Sequence, residues 1–154
     1  MLRKGYDKST TGLEVLDKTL PATHTWLDEI MDDLGPDRAL AWKVLSAVLH
    51  TLRDRLPVEL AAHMGAQLPL LVRGTYYDGF DPAKMPAEWQ TAEQFLDKVA
   101  EQLAASRKVG PRDAVDAVFG VLDRHLSTGQ VDKVYRSLPR SIRSLWLEPE
   151  AQGN

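Results

Sequence analysis

Leu40-Ala41-Trp42-Lys43-Val44-Leu45-Ser46-Ala47-Val48-Leu49-His50-Thr51-Leu52-Arg53-Asp54-Arg55-Leu56-Pro57 is the stretch that decides the fold. Leu40, Val44, Leu45, Val48, Leu49, Leu52 and Leu56 recur at i, i+4 and i+8, the period of one buried helix face, and Pro57 ends the run. The spacing predicts the longest helix of the chain. Upstream, Thr25-Trp26-Leu27-Asp28 reads as a capped helix start, with Trp26, Leu27, Ile30, Met31 and Leu34 at helical spacing up to the break Gly35-Pro36. Before it, Leu13, Leu16 and Leu20 form an extra N-terminal helix face. Downstream, Leu60, Ala61, Met64 and Leu68 give a short stripe, and Leu70, Leu71, Val72 and Tyr76 resume the period after Pro69.

The same order of elements then recurs. Thr91-Ala92-Glu93-Gln94 has the form of a capping box, and Phe95-Leu96-Asp97-Lys98-Val99 lies on Trp26-Leu27-Asp28-Glu29-Ile30. Comparing 42–77 with 112–147 gives seven identities, Ala47, Val48, Leu52, Leu56, Leu68, Pro69 and Arg73, each matched 70 residues later. No stretch alternates with the period of two that a strand needs. The expected fold is therefore all-α: two tandem homologous helical bundles of three to four helices each, plus an N-terminal helix. Its divisions are an extension at 1–22, a first repeat at 23–82, a linker at 83–90, a second repeat at 91–147 and a flexible tail at 148–154, in one compact unit. The linker region is expected to be ordered, because Phe80, Met85 and Trp89 are too apolar for a solvated tether.

The 154 residues suit one domain, and 44% hydrophobic with 27% charged side chains suits a folded one. Cysteine is absent, which excludes disulfides, thiolate–zinc sites, iron–sulfur clusters and thiol catalysis. No apolar run approaches the roughly 20 residues of a membrane span, and the first residues lack a signal-peptide core, so a cytoplasmic protein without membrane attachment is expected. The formal charge of −3 hides an asymmetry: residues 24–81 carry five basic and nine acidic side chains, while 101–147 carry eight and five.

Two stretches, Val48-Leu49-His50-Thr51-Leu52-Arg53-Asp54-Arg55-Leu56-Pro57 and Ala66-Gln67-Leu68-Pro69-Leu70-Leu71-Val72-Arg73-Gly74-Thr75-Tyr76-Tyr77-Asp78-Gly79-Phe80-Asp81-Pro82, resemble the bacterial domain-of-unknown-function family 2267. The similarity continues through Phe95-Leu96-Asp97-Lys98-Val99 to Leu138-Pro139 and Leu145-Trp146, covering the chain from about Thr23 to Trp146. Phe80 stands where the family usually has tryptophan, Gly65 where it has alanine, Gln130 where glutamate is usual and Leu147 where proline is common. The resemblance implies a helical, cytosolic bacterial protein and transfers no reaction, cofactor or catalytic residue.

Side-chain chemistry gives a few candidates. Arg53 and Arg55 flank the core face of the long helix, where a guanidinium either binds a phosphate or carboxylate or clamps an acid in an interhelical ion pair. Arg73, Tyr76 and Tyr77 gather a cation and two phenols near a helix end. Their functional reading is a ligand or partner contact; their structural reading is aromatic cover for the core with a cation at a helix dipole. The matching Asp123-Arg124-His125 reverses the charge order of Arg53-Asp54-Arg55, as a packing pair would. His24, His50, His63 and His125 fall in no three-ligand pattern, and no nucleophile elbow, phosphate loop or dinucleotide fingerprint is present, so no metal, cofactor or catalytic residue is assigned. Arg136 and Arg140 belong to a basic set with Arg107, Lys108, Arg112, Arg124, Lys133 and Arg143, and Ser127–Trp146 loosely resembles a helix-turn-helix. Interspersed acids and an overall pI near 5.8 argue against nucleic acid. The leading expectation is a non-enzymatic protein–protein interaction module, with a second copy of itself, as a homodimer, among its partners. A small-ligand or enzymatic Arg/Tyr pocket and nucleic-acid binding through the basic half are the alternatives.

Overall fold

The computed structural model describes residues 11–104 and 109–146. Arg107, Lys108, Leu147, residues 1–10 and the tail at 148–154 lie outside the described residues. Among the described residues the structure is all-helical, with α1 (Glu14–Leu34), α2 (Arg38–Arg55), α3 (Val58–Ala66) and α4 (Leu70–Tyr77) before the connection. After it come α5 (Ala92–Leu103), α6 (Pro111–His125), α7 (Thr128–Ser137) and α8 (Arg140–Arg143). None of these helices is long and apolar enough to cross a membrane.

Local chemistry places most of the ends. Asp37 caps α2 by accepting from the Leu40 amide at 3.0 Å, and Leu56, extended at φ −90° and ψ 153°, ends it before Pro57. Thr91 and Gln94 form the complete capping box of α5, and Ser127 caps α7 through the Gln130 amide. The Leu-Pro steps split the third apolar run of each half, so Pro69 and Pro139 stand as the N-caps of α4 and α8. Gly35 closes α1 at φ 108°, a conformation that favours glycine, and donates to the Met31 carbonyl.

Three expectations need correction. Thr25 does not start a helix. The Leu13–Leu20 segment and the Thr23–Leu34 segment are one helix of 21 residues that passes through Pro21, and α1 rather than the 18-residue α2 is the longest. Pro21 lacks the amide that the Asp17 carbonyl would meet inside the helix, and beyond it the Thr23 and Thr25 hydroxyls donate back to the Thr19 and Pro21 carbonyls at 2.6 and 3.0 Å. Leu70 and Leu71 do not continue the core stripe. Val72 and Tyr76 are buried a turn apart, whereas Leu70 and Leu71 are 46% and 41% exposed.

Helices α2 and α6 pack against each other at the centre; α1 lies on both, and α5 also lies on both. A single apolar core runs through them, from Trp26, Leu27 and Ile30 of α1 to Val44, Leu45, Leu49 and Leu52 of α2 and on to Phe95, Phe119 and Leu122. An aromatic chain crosses this core, with ring centroids 5.6 Å apart for Trp89–Phe95, 6.0 Å for Phe95–Phe119 and 4.1 Å for Phe119–Trp146. The connection is ordered as expected: Ala87 donates its amide to the Asp54 carbonyl at 2.7 Å, and Phe80, Met85 and Trp89 pack on the core.

Candidate functional surface

Arg53 ends up as a strut. It is 4% exposed, its Nη1 donates to the Tyr76 and Asp78 carbonyls at 2.7 and 2.8 Å, and its Nε and Nη2 hold Asp54. The guanidinium carbon sits 5.9 Å from the Phe80 ring centroid. The last turn of α4 leaves carbonyls without helical partners, and Arg53 satisfies one of them together with the carbonyl beyond it.

Tyr76 is fully buried, and its hydroxyl donates to the Ala61 carbonyl at 2.7 Å, tying α4 to α3. Burial pushes its phenol pKa well above the ordinary range, so it stays a neutral donor. Tyr77 packs edge-on between Tyr76 and Phe80, at 5.0 and 5.2 Å. Its ring also closes over Gly65, where an added Cβ would lie 2.5 Å from the phenol oxygen. Glycine at the position where the resembled family has alanine therefore makes room for this tyrosine. Arg73 donates to the Gly65, Ala66 and Leu68 carbonyls, filling the C-terminal end of α3 rather than of its own helix.

These side chains do not converge. A cleft of about 400 Å³ beside them is lined by Thr51, Asp54, Lys84, Trp89, Lys98 and Gln102, and none of Arg53, Arg55, Arg73, Tyr76 and Tyr77 lines it. Arg55 is also almost buried, at 8% exposure, and donates its Nε to the Trp89 carbonyl at 2.8 Å.

The basic half is largely occupied with its own contacts. Arg112 pairs with Asp116 and Arg136 with Asp132 one helical turn away, Arg124 pairs with Glu29, and Arg143 donates to the Leu138 carbonyl. Arg140 stands exposed in the first turn of α8. His50 Nε2 bonds the Thr75 carbonyl at 2.6 Å, and His125 reaches Glu29. Among the described residues no three His, Asp or Glu side chains gather as a metal site requires.

The feature without an internal use is apolar. Helix α6 ends at His125, whose ring stacks on Trp26 at 5.4 Å, so residues 14–22 of α1 run past the end of α6. The start of α4 lies beside them, with the Leu71 amide donating to Thr19 Oγ1 at 3.2 Å. On this overhang Leu13, Val15, Leu16 and Leu20 are 37–52% exposed, and Leu70 and Leu71 add to them from α4. A groove of about 510 Å³ separates the two elements, lined by Val15, Thr19, Ala22, Leu68, Pro69 and Leu70, with Glu14 and Lys18 on its rim. The Leu13-Leu16-Leu20 face was legible from its spacing. Leu70 and Leu71 were also separable in principle, since they fall off the i, i+4 line of Leu68, Val72 and Tyr76.

A family model described as an uncharacterized conserved protein (DUF2267) matches residues 23–145. No curated protein matches the chain.

Proposed function

The chain belongs to the DUF2267 family, whose description assigns no activity, and from that premise we propose that it acts without catalysis, as a helical module that binds another protein. The partner set includes a second copy of the chain. The observation that carries this reading is the overhang of α1 with the start of α4: six large apolar side chains of two neighbouring elements are exposed there, and two of them, Val15 and Leu70, line the groove between the elements. Exposed single leucines are ordinary, but a cluster rimmed by charges is the usual form of a protein-binding surface. An amphipathic helix with anchors at i, i+3 and i+7 fits such a groove.

The finer architecture enters the proposal as well: the two halves are copies of one four-helix unit, packed about an approximate two-fold axis. Its support is an exchange of contacts. Helix α1 meets α2 and α6 while α5 meets α6 and α2; α3 meets α7; and α1 with α4 is matched by α5 with α8. Equivalent details agree, such as Pro69 at φ −56°, ψ 150° and Pro139 at φ −56°, ψ 149°. Arg73 and Arg143 each donate to the carbonyl of the leucine five residues before them, Leu68 and Leu138. A cysteine-free chain of this kind suits the reducing bacterial cytoplasm.

The ligand pocket of Arg55, Arg73, Tyr76 and Tyr77 is the weaker alternative, because Arg73, Tyr76 and Tyr77 direct donors to backbone carbonyls of α3 and its end while Arg55 turns to the Trp89 carbonyl, so the four do not gather around one cleft. Nucleic-acid binding is weaker too, since Arg112, Arg124 and Arg136 each face a carboxylate. A photo-crosslinking side chain at Leu70, with a control at Lys133 on α7, tests the leading reading in the native cell. Adducts from Leu70 that vanish with Leu16→Asp are expected; equal labelling from both positions, or none from either, overturns it.

A further inference from the structure

We propose that Arg55 is the anchor of a binding site for a small oxyanion, a carboxylate or phosphate group, at the end of α2 where Trp89 crosses it. The inference is independent of the apolar surface of α1 and α4. Its first support is the side chain's own state. Arg55 is 92% removed from solvent, yet its Nε–H···O=C bond to Trp89 is its single hydrogen bond, and no carboxylate among the described residues pairs with it. Among the described residues one other arginine is so covered, Arg53 at 4% exposure, and it has two carbonyls and a carboxylate as partners. Removing a guanidinium from water without a counter-charge is costly, and the charge is felt here as a pKa lowered by desolvation. The negative end of the α2 dipole offsets only part of that cost.

The second support is accessibility. Among the described residues, the one side-chain nitrogen or oxygen that is both wholly buried and unpartnered is Gln130 Nε2. Both terminal nitrogens of Arg55 lack partners and are outside that class, so each keeps contact with solvent. Since Nε is committed to Trp89, the open edge is the end-on fork, one N–H from each Nη. That spacing matches two oxygens of a carboxylate or phosphate.

The third support is the surrounding charge. Thr51, one turn before Arg55 on α2, lines a neighbouring cleft with Trp89, Lys84 and Lys98; Arg55 is not among its lining residues but meets it through the Trp89 carbonyl, and Lys98 faces Glu101 at 3.9 Å. The acids of that cleft are committed: Asp54 is held by Arg53 at 2.9 Å, and Asp81 caps the Ala83 amide and faces Lys84 at 3.8 Å. The seam on the opposite side of α2 and α6 makes the contrast plain. There Glu29 of α1 is placed between Arg124 and His125; the residue matching Glu29 on α5 is Lys98, so at the Arg55 seam the carboxylate is missing and a cation stands in its sequence position. An incoming oxyanion supplies the absent charge.

The test is a titration of the full chain with sodium phosphate and, separately, sodium acetate, each against sodium chloride at equal ionic strength. It is read by the 15N–1H signal of the Arg55 side chain and by thermal unfolding. A saturable movement of the Arg55 Nε–H signal is expected, with a rise in Tm of about 4 °C at ten times the dissociation constant. Arg55→Met should lose the Tm rise and Arg55→Lys should weaken it. The phosphate and acetate arms identify which oxyanion the fork prefers, and a response to either supports the site. An Arg55 signal that moves no more than in chloride, or a Tm rise retained in Arg55→Met, overturns it. The wild-type signal decides the matter even where a variant fails to fold.

Discussion

Arg124 Nε donates to Glu29 Oε1 at 2.7 Å, joining α6 to α1 across 95 residues of sequence, while His125 takes the second oxygen of the same carboxylate at 2.8 Å. Glu29 belongs to the acidic half and Arg124 to the basic half, so this contact is where the charge asymmetry of the chain acts within the molecule. Burial alone would raise the Glu29 pKa; the hydrogen bonds and charges of Arg124 and His125 outweigh it and hold the carboxyl below its ordinary value of 4.5. A carboxyl whose folded pKa is depressed stabilises the fold above its unfolded pKa and loses that contribution as pH falls through the folded one. Glu29→Gln is expected to cost about 1 kcal/mol at pH 7. The difference from the wild type should shrink as pH drops below 4.5, which urea unfolding at pH 7, 5 and 3 checks.

Arg53→Ala strands the Tyr76 and Asp78 carbonyls and removes a nearly buried charge from its partners. Chemical denaturation should show a loss of about 3 kcal/mol. Arg53→Lys should recover little of it, because one ammonium cannot span two carbonyls and Asp54 with the geometry of the fork.

Gly65 and Tyr77 form a testable pair. Gly65→Ala places a methyl group against the Tyr77 ring and should cost about 1 kcal/mol, despite the helix preference for alanine. In a Tyr77→Ala background the same change should stabilise by about 0.5–1 kcal/mol. A double-mutant cycle measures the coupling, and additive effects would mean that the ring does not close over Gly65.

Trp146 stacks on Phe119 at 4.1 Å, and its indole N–H donates to Asp123 at 3.0 Å. Trp146→Ala should lower stability by about 3–4 kcal/mol, with the loss visible as a reduced urea midpoint at unchanged m-value.

A different kind of result is expected at the apolar overhang. Leu16→Asp and Leu70→Asp replace exposed side chains, so thermal unfolding should change by less than about 1 kcal/mol equivalent. Light scattering across a concentration series should show any self-association of the wild type weakened in both.

The helices were legible in the sequence because a helix declares itself locally. The spacing of Leu40 to Leu56, the capping box at Thr91 and Gln94, and the Leu-Pro steps at 68–69 and 138–139 each depend on residues within a few positions of one another. Where local reading failed, a neighbour not encoded nearby was responsible. The Leu13–Leu20 face and the Thr23–Leu34 segment read as two elements, and the structure runs them together through Pro21. The Arg/Tyr group stayed open to two readings, a ligand contact or cover for the core, because the contacts of Arg53 with Tyr76 and of Arg73 with Leu68 cannot be read from composition. Those carbonyls consume the donors that a ligand would need.

Periodicity and punctuation, acting over one or two helical turns, thus settled that the chain is helical, where most of its helices end and which faces carry apolar residues. Only the tertiary structure decided which of those faces are covered and which charges are answered. Leu16 and Leu52 are equally apolar, but one lies on an overhang past the end of α6 and the other at the centre between helices. Arg53 and Arg55 lie two residues apart on the same helix, and one is saturated while the other faces no carboxylate. The physical reason is that burial and counter-charge belong to pairs of surfaces, and the second surface comes from tens of residues away.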